Sequence, residues 1–271
     1  TRDAVHMLDN AIDICEYPLP QMKEAIEKTR RIGVGVIGWA DALIELGLPY
    51  NGQDALKLAE KLMKFISNEA SEESAKLARK RGTFGDFKKS TQSKKGERVR
   101  NASCTTIMAA GPASMIADCS LGIEPHFAIS YVKHTPTSEI LEVIPLFEDI
   151  ARKEGFHSEE LMRKIALAGN LNDIPEVPDK WKKVFVTAAD CSINDHLAVQ
   201  IAFQRYTDNG VSKTINLPPT ATIYEVEDVY KKAYEAGCRS VHVYREGSSP
   251  NQLMTSVKRI MRKRKKSRYS R

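Results

Sequence analysis

Two glycine-bearing segments of the chain have residue types that could bind phosphate groups. The first reads Gly-Val-Gly-Val-Ile-Gly over residues 33–38 and has the G-x-G-x-x-G spacing of a dinucleotide-binding turn. Such a turn needs a strand before the glycines and a helix after them, so that the helix N-terminus meets the pyrophosphate. Here the preceding residues, MKEAIEKTRR, have a charged helical pattern, and no acid follows at the end of a second strand. Without the preceding strand and the acid, we expect no nicotinamide or flavin site here, despite the glycine spacing. The spacing predicts small residues that let this segment pass close to a neighbouring backbone.

The second segment has small residues where a predicted strand turns into a predicted helix. Its bend consists of Ala109, Ala110, Gly111, Pro112, Ala113 and Ser114. Small side chains at such a turn leave backbone N–H groups uncovered, and these groups together with the helix dipole can bind an anion. The hydroxyl of Ser114 would add a donor. The sequence therefore predicts a phosphate-binding bend over residues 109–114, and a tight turn without a ligand is the alternative.

The cysteines and histidines show no spacing that is typical of a metal or disulfide site. The five cysteines, at positions 15, 104, 119, 191 and 238, are odd in number, widely separated and without a C-x-x-C pair. The six histidines include no H-x-x-x-H or H-E-x-x-H pattern. We therefore expect reduced, mostly buried thiols in a cytoplasmic protein and no metal site.

Positive charge is concentrated at the end of the chain. Residues 258–271 hold nine Lys or Arg and no acid, so the rest carries 41 − 9 = 32 basic against 35 acidic residues. A basic block of this kind can bind phosphate backbones, although many such tails are only solvated. No apolar run is long enough to cross a membrane, and the first residues lack the pattern of a signal peptide.

Helices alternate with short β-rich runs along the chain, which favours an α/β architecture. Apolar periodicity predicts helices over residues 3–14, 21–31, 40–47, 52–81, 192–210 and 222–237, and over most of 138–168 after a short extended piece. Gly47, Gly82 and Gly237 are the predicted helix stops. Short β-branched runs predict strands over residues 102–110, 211–217 and 238–246.

Four of these segments, in this order, resemble the carboxy-terminal part of the catalytic subunit of ribonucleotide reductase. They are RIGVGVIGWADAL, RNASCTTIMAAGPASMIADCSLGIEPHFA, QIAFQRYTDNGVSKTINLP and AYEAGCRSVHVYREGS. The resemblance is to the adenosylcobalamin-dependent class in particular, and it extends from about Ala4 to Gln252. It implies that residues 1–252 form the C-terminal portion of a ten-stranded α/β barrel and that residues 253–271 form a basic tail.

The resemblance also implies a reaction and its partners. A cysteine thiyl radical abstracts the 3′-hydrogen of a ribonucleoside diphosphate or triphosphate, and two further cysteines supply the electrons that remove the 2′-hydroxyl. Adenosylcobalamin generates the radical, an external thiol regenerates the enzyme, and the complete protein is a homo-oligomer. The bend at residues 109–114 would hold the substrate phosphates.

The bend departs from the pattern of the family, which reads more like Ala-Pro-Thr-Gly-Thr-Ile-Ser. Ala110 and Pro112 stand where two threonines are expected, and Pro112 also lacks an N–H group. A hydrogen bond to a charged group contributes about 1.5–3 kcal/mol. We therefore expect weaker phosphate binding, or binding through other amides.

The radical cysteine is the second departure. The family places it on a finger loop reading Asn-x-Cys-x-Glu, and none of the five cysteines has that setting. All five are interpreted as structural, and the finger loop is expected on an upstream half of the reductase. Because the chain begins at Thr1, we expect a fragment that is inactive alone: a split-gene product, part of a spliced precursor or a truncated frame.

Several polar residues in the family-like segments are weaker candidates for a place near the substrate. These are Asn101, Glu124, His126, Lys213 and Asn216. Each also has a structural interpretation, such as a buried carboxylate for Glu124 or a loop contact for Asn101. A different class of function also stays open: a non-catalytic protein that binds nucleotides or nucleic acid through the basic tail.

Overall fold

The computed structural model describes residues 1–134, 139–168, 171–248 and 254–256. Most of the predicted basic tail therefore lies outside the described residues. The helices are α1 (Arg2–Ile14), α2 (Pro20–Thr29), α3 (Trp39–Glu45), α4 (Gln53–Arg81), α5 (Thr91–Lys94), α6 (Gly111–Ile116), α7 (Pro145–Lys153), α8 (Glu159–Ala168), α9 (Asp179–Val184), α10 (Ile193–Gln204) and α11 (Ile223–Glu235). The strands are β1 (Ser130–His134), β2 (Glu139–Val143), β3 (Thr214–Leu217), β4 (His242–Arg245) and β5 (Met254–Ser256).

A row of parallel extended segments forms the wall on which the helices pack. Val34 pairs with Thr105 and Ile107 pairs with Val211, in both cases as parallel bridges. Farther along the chain β3 pairs with β4 in parallel. The predicted strand 102–110 is thus paired on both sides, but as single bridges rather than a continuous ladder. Parallel pairing with helical connections confirms the predicted α/β architecture.

The glycines of the G-x-G-x-x-G segment permit the first of these pairings. A Cβ atom on Gly35 would lie 2.0 Å from the carbonyl oxygen of Thr106, and one on Gly33 would lie 2.4 Å from its Cγ2. These distances are far below van der Waals contact, so only glycine allows this approach. The hypothesis that these residues serve close backbone packing is confirmed.

Two helices cover one face of the β3–β4 pair. Leu197 of α10 and Val229 of α11 share a buried cluster with Ile215 of β3, and Val243 of β4 packs against it. Because side chains alternate along a strand, Thr214 and Asn216 lie on the opposite face. That opposite face is therefore available to a functional site.

The longest helix agrees with its sequence pattern almost to the residue. Periodicity predicts a helix over 52–81, and α4 spans Gln53–Arg81 with Gly82 at φ +84° after it. Its apolar stripe enters the main core, where Trp39 and Phe203 meet edge to face with ring centroids 5.2 Å apart. Contacts of α4 with α1 and α10 connect the N-terminal helices to the parallel wall.

A smaller antiparallel sheet interrupts the parallel pattern. Its strand order is β2-β1-β5, and its neighbour is an aromatic core in which Phe147 and Phe185 meet at 5.0 Å. The expected extended piece corresponds to β2, and the expected helical stretch consists of α7 and α8, with Gly155 at φ +78° between them. The sequence pattern does not predict β1.

Candidate functional site

The predicted phosphate-binding bend lies where the extended segment 103–107 passes into α6. Ala110 makes the turn at φ 2° and ψ 24°. The amide of Gly111 donates to the carbonyl of Ala109 at 2.5 Å, and that of Ser114 donates to the carbonyl of Ala110 at 2.8 Å. Ala109 and Pro112 are not buried, whereas Ala110 is. The bend therefore has an open side, but two of its amides already have partners.

Ser114 connects the bend to the turn that follows α6. It is 3% exposed, and its hydroxyl oxygen accepts the Gly122 amide at 3.5 Å. Its carbonyl accepts the amide of Cys119 at 3.0 Å. The Ser114 side chain is thus directed into the protein, where it fixes the turn. Its role as a phosphate donor stays a prediction.

Exposed apolar side chains flank the bend in the chain on both sides. We call them the apolar rim: Met108 (57% exposed), Met115 (67%), Ile116 (87%) and Leu121 (39%). Large apolar groups that are grouped on a surface are typical of places where another apolar surface packs.

A buried lysine lies at the entrance to β3. Lys213 Nζ donates to Glu124 Oε2 at 2.7 Å, to His196 Nδ1 at 3.0 Å and to the carbonyl of Thr214 at 3.0 Å. Its side chain is 0% exposed. Burial lowers the pKa of Lys213, and the charge of Glu124 opposes this. The Lys213 side chain therefore points into a polar cluster of the protein.

Glu124 and His196 complete this cluster. The second carboxylate oxygen of Glu124 accepts the Thr214 amide at 2.5 Å, so both of its oxygens are used. His196 accepts from Lys213 at Nδ1 and donates through Nε2 to the carbonyl of Ala188 at 3.2 Å, which requires a neutral ring. Burial and the charge of Lys213 lower the pKa of His196 to about 3. These contacts favour the structural interpretation of Glu124.

Asn101 belongs to a second buried polar network. Its side-chain nitrogen, Nδ2, donates to Asp9 Oδ1 at 3.1 Å and to the carbonyl of Arg30 at 3.0 Å. Asp9 is 0% exposed and pairs with Arg30 at 2.8 Å. Burial opposes ionisation of Asp9, but Arg30, Arg100 and Asn101 together leave its pKa lowered. Asn101 therefore connects helices rather than facing the bend.

Sequence reasoning missed the partner of His126. Its Nε2 atom lies 2.7 Å from Asp41 Oδ1, although the two residues are 85 positions apart. The other Asp41 oxygen accepts the Ser120 amide at 2.5 Å. Burial raises the pKa of Asp41, the bonds from His126 and Ser120 lower it, and the net shift is downward. Asp41 lies within the family-like segment, but nothing in the sequence indicated this pairing.

Asn216 lies on the face of β3 opposite the helices that pack on Ile215. In the β3–β4 register its neighbour is Tyr244, a residue that no sequence motif indicated. Both residues are partly buried. The alternation along β4, with Val243 toward the helices, is the signal that would have placed Tyr244 on this face.

All five cysteines are free thiols. The expectation that most of them are buried is wrong, because only Cys104 is buried, Cys15 is exposed and the other three are partly exposed. Burial raises the pKa of both Cys104 and Cys191 to about 12, so neither forms a thiolate at neutral pH. No group of three or more metal-ligating side chains occurs within residues 1–134, 139–168 and 171–248. Nor does any helix of the described part have the length and apolar content needed to cross a membrane.

Comparison with known proteins explains this arrangement. Residues 1–244 match the family model described as "Ribonucleotide reductase, barrel domain". The chain belongs to the ribonucleotide reductase family. Its parallel extended segments are accordingly part of the wall of that barrel.

Curated relatives carry the name "Vitamin B12-dependent ribonucleoside-diphosphate reductase". The protein from Thermoplasma acidophilum is 43% identical over 93% of this chain, which covers 33% of that protein. The one from Mycobacterium tuberculosis (strain CDC 1551 / Oshkosh) is 41% identical over 94% of this chain and 37% of its own length. The chain thus spans about a third of these reductases, and the resemblance read from its motifs is confirmed.

A solved structure supports the fold. The class Id ribonucleotide reductase alpha subunit of Actinobacillus ureae superimposes with a TM-score of 0.77 over 91% of this chain and 46% of its own. At 20% identity this likeness concerns the fold alone. The predicted fold, a portion of the reductase barrel, is confirmed.

Proposed function

We propose that this chain is part of an adenosylcobalamin-dependent ribonucleoside-diphosphate reductase and supplies the side of the barrel that binds the substrate phosphates. The names of its relatives support the reaction. The open bend at residues 109–114 is the observation that supports the role of this part. It lies at the end of an extended segment of the barrel wall, which is where ligands bind in parallel α/β folds.

The bend would bind the phosphates through its backbone. Gly111 and Ser114 use their amides inside the bend, and Pro112 has none. Ala110 is buried, so the amides of Ala109 and Ala113 are the donors that we assign to the anion. With alanine and proline where the family has threonines, binding depends on these amides and on the dipoles of the first turn.

The radical chemistry requires a cysteine in an Asn-x-Cys-x-Glu loop, and none of the five cysteines of this sequence has that setting. We infer that a complementary segment, the upstream half of the reductase, carries the finger-loop cysteine whose thiyl radical removes the 3′-hydrogen. The 2′-hydroxyl leaves as water, and a pair of cysteine thiols is oxidised to a disulfide that an external thiol reduces. Cys104 is buried, and the raised pKa values of Cys104 and Cys191 disfavour the thiolates that such exchange needs.

The apolar rim supports this partnership. Met115 and Ile116 are more than half exposed beside the bend, where the complementary segment would complete the barrel. Burial of such groups stabilises an interface by about 25 cal/mol for each Å² removed from water.

We propose that the completed enzyme is a cytoplasmic homo-oligomer.

Adenosylcobalamin would supply the radical by homolysis of its cobalt–carbon bond. A groove between α10 and α11 has a volume of about 460 Å³ and is lined by residues such as Leu197, Ile201 and Lys232. Pockets of about 300–1,000 Å³ suit drug-sized ligands, and a corrin with its nucleotide tail is much larger. This groove does not fit the cofactor, so we assign its binding to the assembled reductase and no step to the residues described here.

The experiment is reconstitution. The chain is co-expressed with a reductase segment that carries the Asn-x-Cys-x-Glu loop, and conversion of CDP to dCDP is measured with adenosylcobalamin and a dithiol. We expect turnover by the pair and none by either part alone. Turnover that is absent from the pair, although the two parts co-purify, would contradict the proposal.

A matched pair of variants tests the bend. Ala113→Asp places a carboxylate beside the proposed phosphate site, whereas Ala117→Asp places it after the other end of α6. Repulsion of the anion should raise the KM for CDP about tenfold or more in the first variant, equivalent to about 1.4 kcal/mol. Equal effects in both variants would place the phosphates elsewhere.

The basic end of the chain supports a second candidate function, nucleic-acid binding. Nine basic residues among 258–271 would release counterions on binding, so the affinity should fall steeply with salt. Removal of residues 258–271 should abolish binding to duplex DNA if this function is real. Unchanged affinity after the deletion would refute it.

A further inference from the structure

Every proton of the buried Lys213 ammonium group has an acceptor. The three acceptors belong to Glu124, His196 and the carbonyl of Thr214, at 2.7–3.0 Å. The Tyr50 ring centroid lies 5.8 Å from Nζ. A buried ion pair is often no more stabilising than apolar residues of the same size. Lys213 is thus better explained by what it orients than by the stability that it adds.

Glu124 is the group that Lys213 orients. Its two oxygens accept from Lys213 Nζ and from the Thr214 amide, so the carboxylate is fixed against the first residues of β3. Its own amide donates to the carbonyl of Leu121 at 2.8 Å. The Tyr50 hydroxyl donates to the carbonyl of Ile123 at 2.6 Å. Residues 121–124 are therefore held as a tight turn between Tyr50 and β3.

The turn at residues 121–124 supports the bend at residues 109–114 through Ser114. Gly122, at φ +52°, donates its amide to the Ser114 hydroxyl oxygen at 3.5 Å. Cys119 donates to the carbonyl of Ser114 at 3.0 Å. A continuous series of contacts thus leads from Lys213 through Glu124 and Gly122 to the last residue of the bend.

We propose that Lys213 is a positioning residue, which holds Glu124 and the turn 121–124 in the place that gives the bend at 109–114 its binding geometry. The inference rests on the proposed function in so far as the ligand of the bend is a nucleotide phosphate. Lys213 itself is fully buried and touches no substrate. Its effect reaches the ligand only through the turn.

The first test is hydrogen exchange of the bend in the full chain. Lys213→Met removes the ammonium group, and we expect exchange in peptides that cover residues 111–124 to accelerate about tenfold or more. Arg30→Met is the matched control, because it removes the cation of the other buried pair, with Asp9. This control should accelerate exchange near α1 and α2 and leave residues 111–124 unchanged.

The second test is kinetic and uses the chain assembled with its complementary segment. Lys213→Met should raise the KM for CDP about tenfold with a smaller change in kcat, because ground-state and transition-state binding of the phosphates weaken together. Arg30→Met, compared at an equal loss of melting temperature, should leave KM unchanged. Equal changes in KM and in exchange for both variants would overturn the inference.

Two provisions keep the outcomes distinct. If Lys213→Met does not fold, the double variant Lys213→Met with Glu124→Gln removes both charges and leaves no unpaired ion in the interior. The same local loss of protection is expected from it, and unchanged protection would overturn the inference. If the wild-type assembly does not turn over CDP, the proposed function fails, while the exchange experiment still decides whether Lys213 orders the bend.

Discussion

At the scale of single residues, His196 links the stability of the protein to pH. Burial, together with the charge of Lys213, lowers its pKa to about 3 from an ordinary value of 6.5. Between about pH 3 and pH 6.5 the His196 ring is therefore protonated in the unfolded chain and neutral in the folded chain. The stability that depends on neutral His196 is fully present above about pH 6.5 and is lost as the pH falls toward 3, with a slope of about 1.4 kcal/mol per pH unit.

A substitution isolates this contribution. His196→Gln keeps an acceptor for Lys213 and an N–H donor for the carbonyl of Ala188, but it cannot titrate. Urea unfolding between about pH 6.5 and pH 5, above the range of most carboxylates, should show a flatter decline of the unfolding free energy in the variant. Identical pH slopes in the two proteins would show that His196 is protonated as easily when folded as when unfolded.

Gly35 gives the second prediction at this scale. A methyl group there would lie 2.0 Å from the carbonyl oxygen of Thr106, a backbone atom that cannot rotate away. Gly35→Ala should therefore destabilise the protein by more than about 2 kcal/mol, like other overpacking substitutions in tight interiors.

Gly47→Ala is the control for this prediction. Gly47 has φ +70°, and no atom lies within 4 Å of the position that a Cβ would take there, so alanine meets only backbone strain, about 1 kcal/mol. Thermal unfolding of the two variants distinguishes the causes. If Gly35→Ala lowers the melting temperature no more than Gly47→Ala does, the backbone at residues 104–106 can shift to accommodate the methyl group at little cost.

The residues of the site differ in how far the sequence could specify them. The small residues of the bend and the close packing of Gly33 and Gly35 are local properties, and their types and spacing indicated both. The Asp41–His126 and Lys213–His196 contacts join residues 85 and 17 positions apart. Which polar side chains meet across such separations depends on the tertiary fold, so single-sequence patterns left those roles open.

At the scale of elements, α10 begins with a reciprocal capping arrangement. The Ser192 hydroxyl accepts the Asp195 amide at 3.1 Å, and the Asp195 carboxylate accepts the Ser192 amide at 2.8 Å. Asn194, in the first turn of α10, contacts Lys232 of α11 at 3.4 Å on an exposed surface.

Alanine substitutions should separate these roles. Ser192→Ala removes the cap and should lower the unfolding free energy by about 1 kcal/mol. Asn194→Ala loses only an exposed contact and should stay within about 0.5 kcal/mol of the wild type. Chemical denaturation measures both. Equal losses would indicate that the start of α10 is held by packing rather than by its cap.

Elements with their own boundary signals were predictable. The helices α4, α10 and α11 have apolar periodicity together with a cap or a glycine stop, and all were expected. The strand β1 was missed because its pairing depends on β2 and β5, and β5 begins 120 residues after His134. The extended segment 103–107 was predicted, but its pairing through single bridges follows from neighbours that are distant in sequence.

At the scale of the whole molecule, the described residues present apolar side chains beside the candidate site. Ile116 is 87% exposed next to the bend, whereas most large aliphatic residues of the wall are buried. The chain spans about a third of the length of its curated relatives. We expect the proposed complementary segment to pack against the apolar rim. The apolar rim is where an interface residue should matter most.

A pair of matched isoleucines tests this assembly. Ile116→Asp replaces an apolar group of the rim, and Ile223→Asp makes the same change at an equally exposed position, 84%, at the start of α11. Burial of an isoleucine side chain contributes about 1.5–3 kcal/mol, so Ile116→Asp should raise the dissociation constant for the complementary segment about 10- to 100-fold. Ile223→Asp should leave it unchanged, because α11 packs on the outer side of β3 and β4. Sedimentation of the mixed segments measures both constants, and equal constants for the two variants would mean that the complementary segment does not cover the bend.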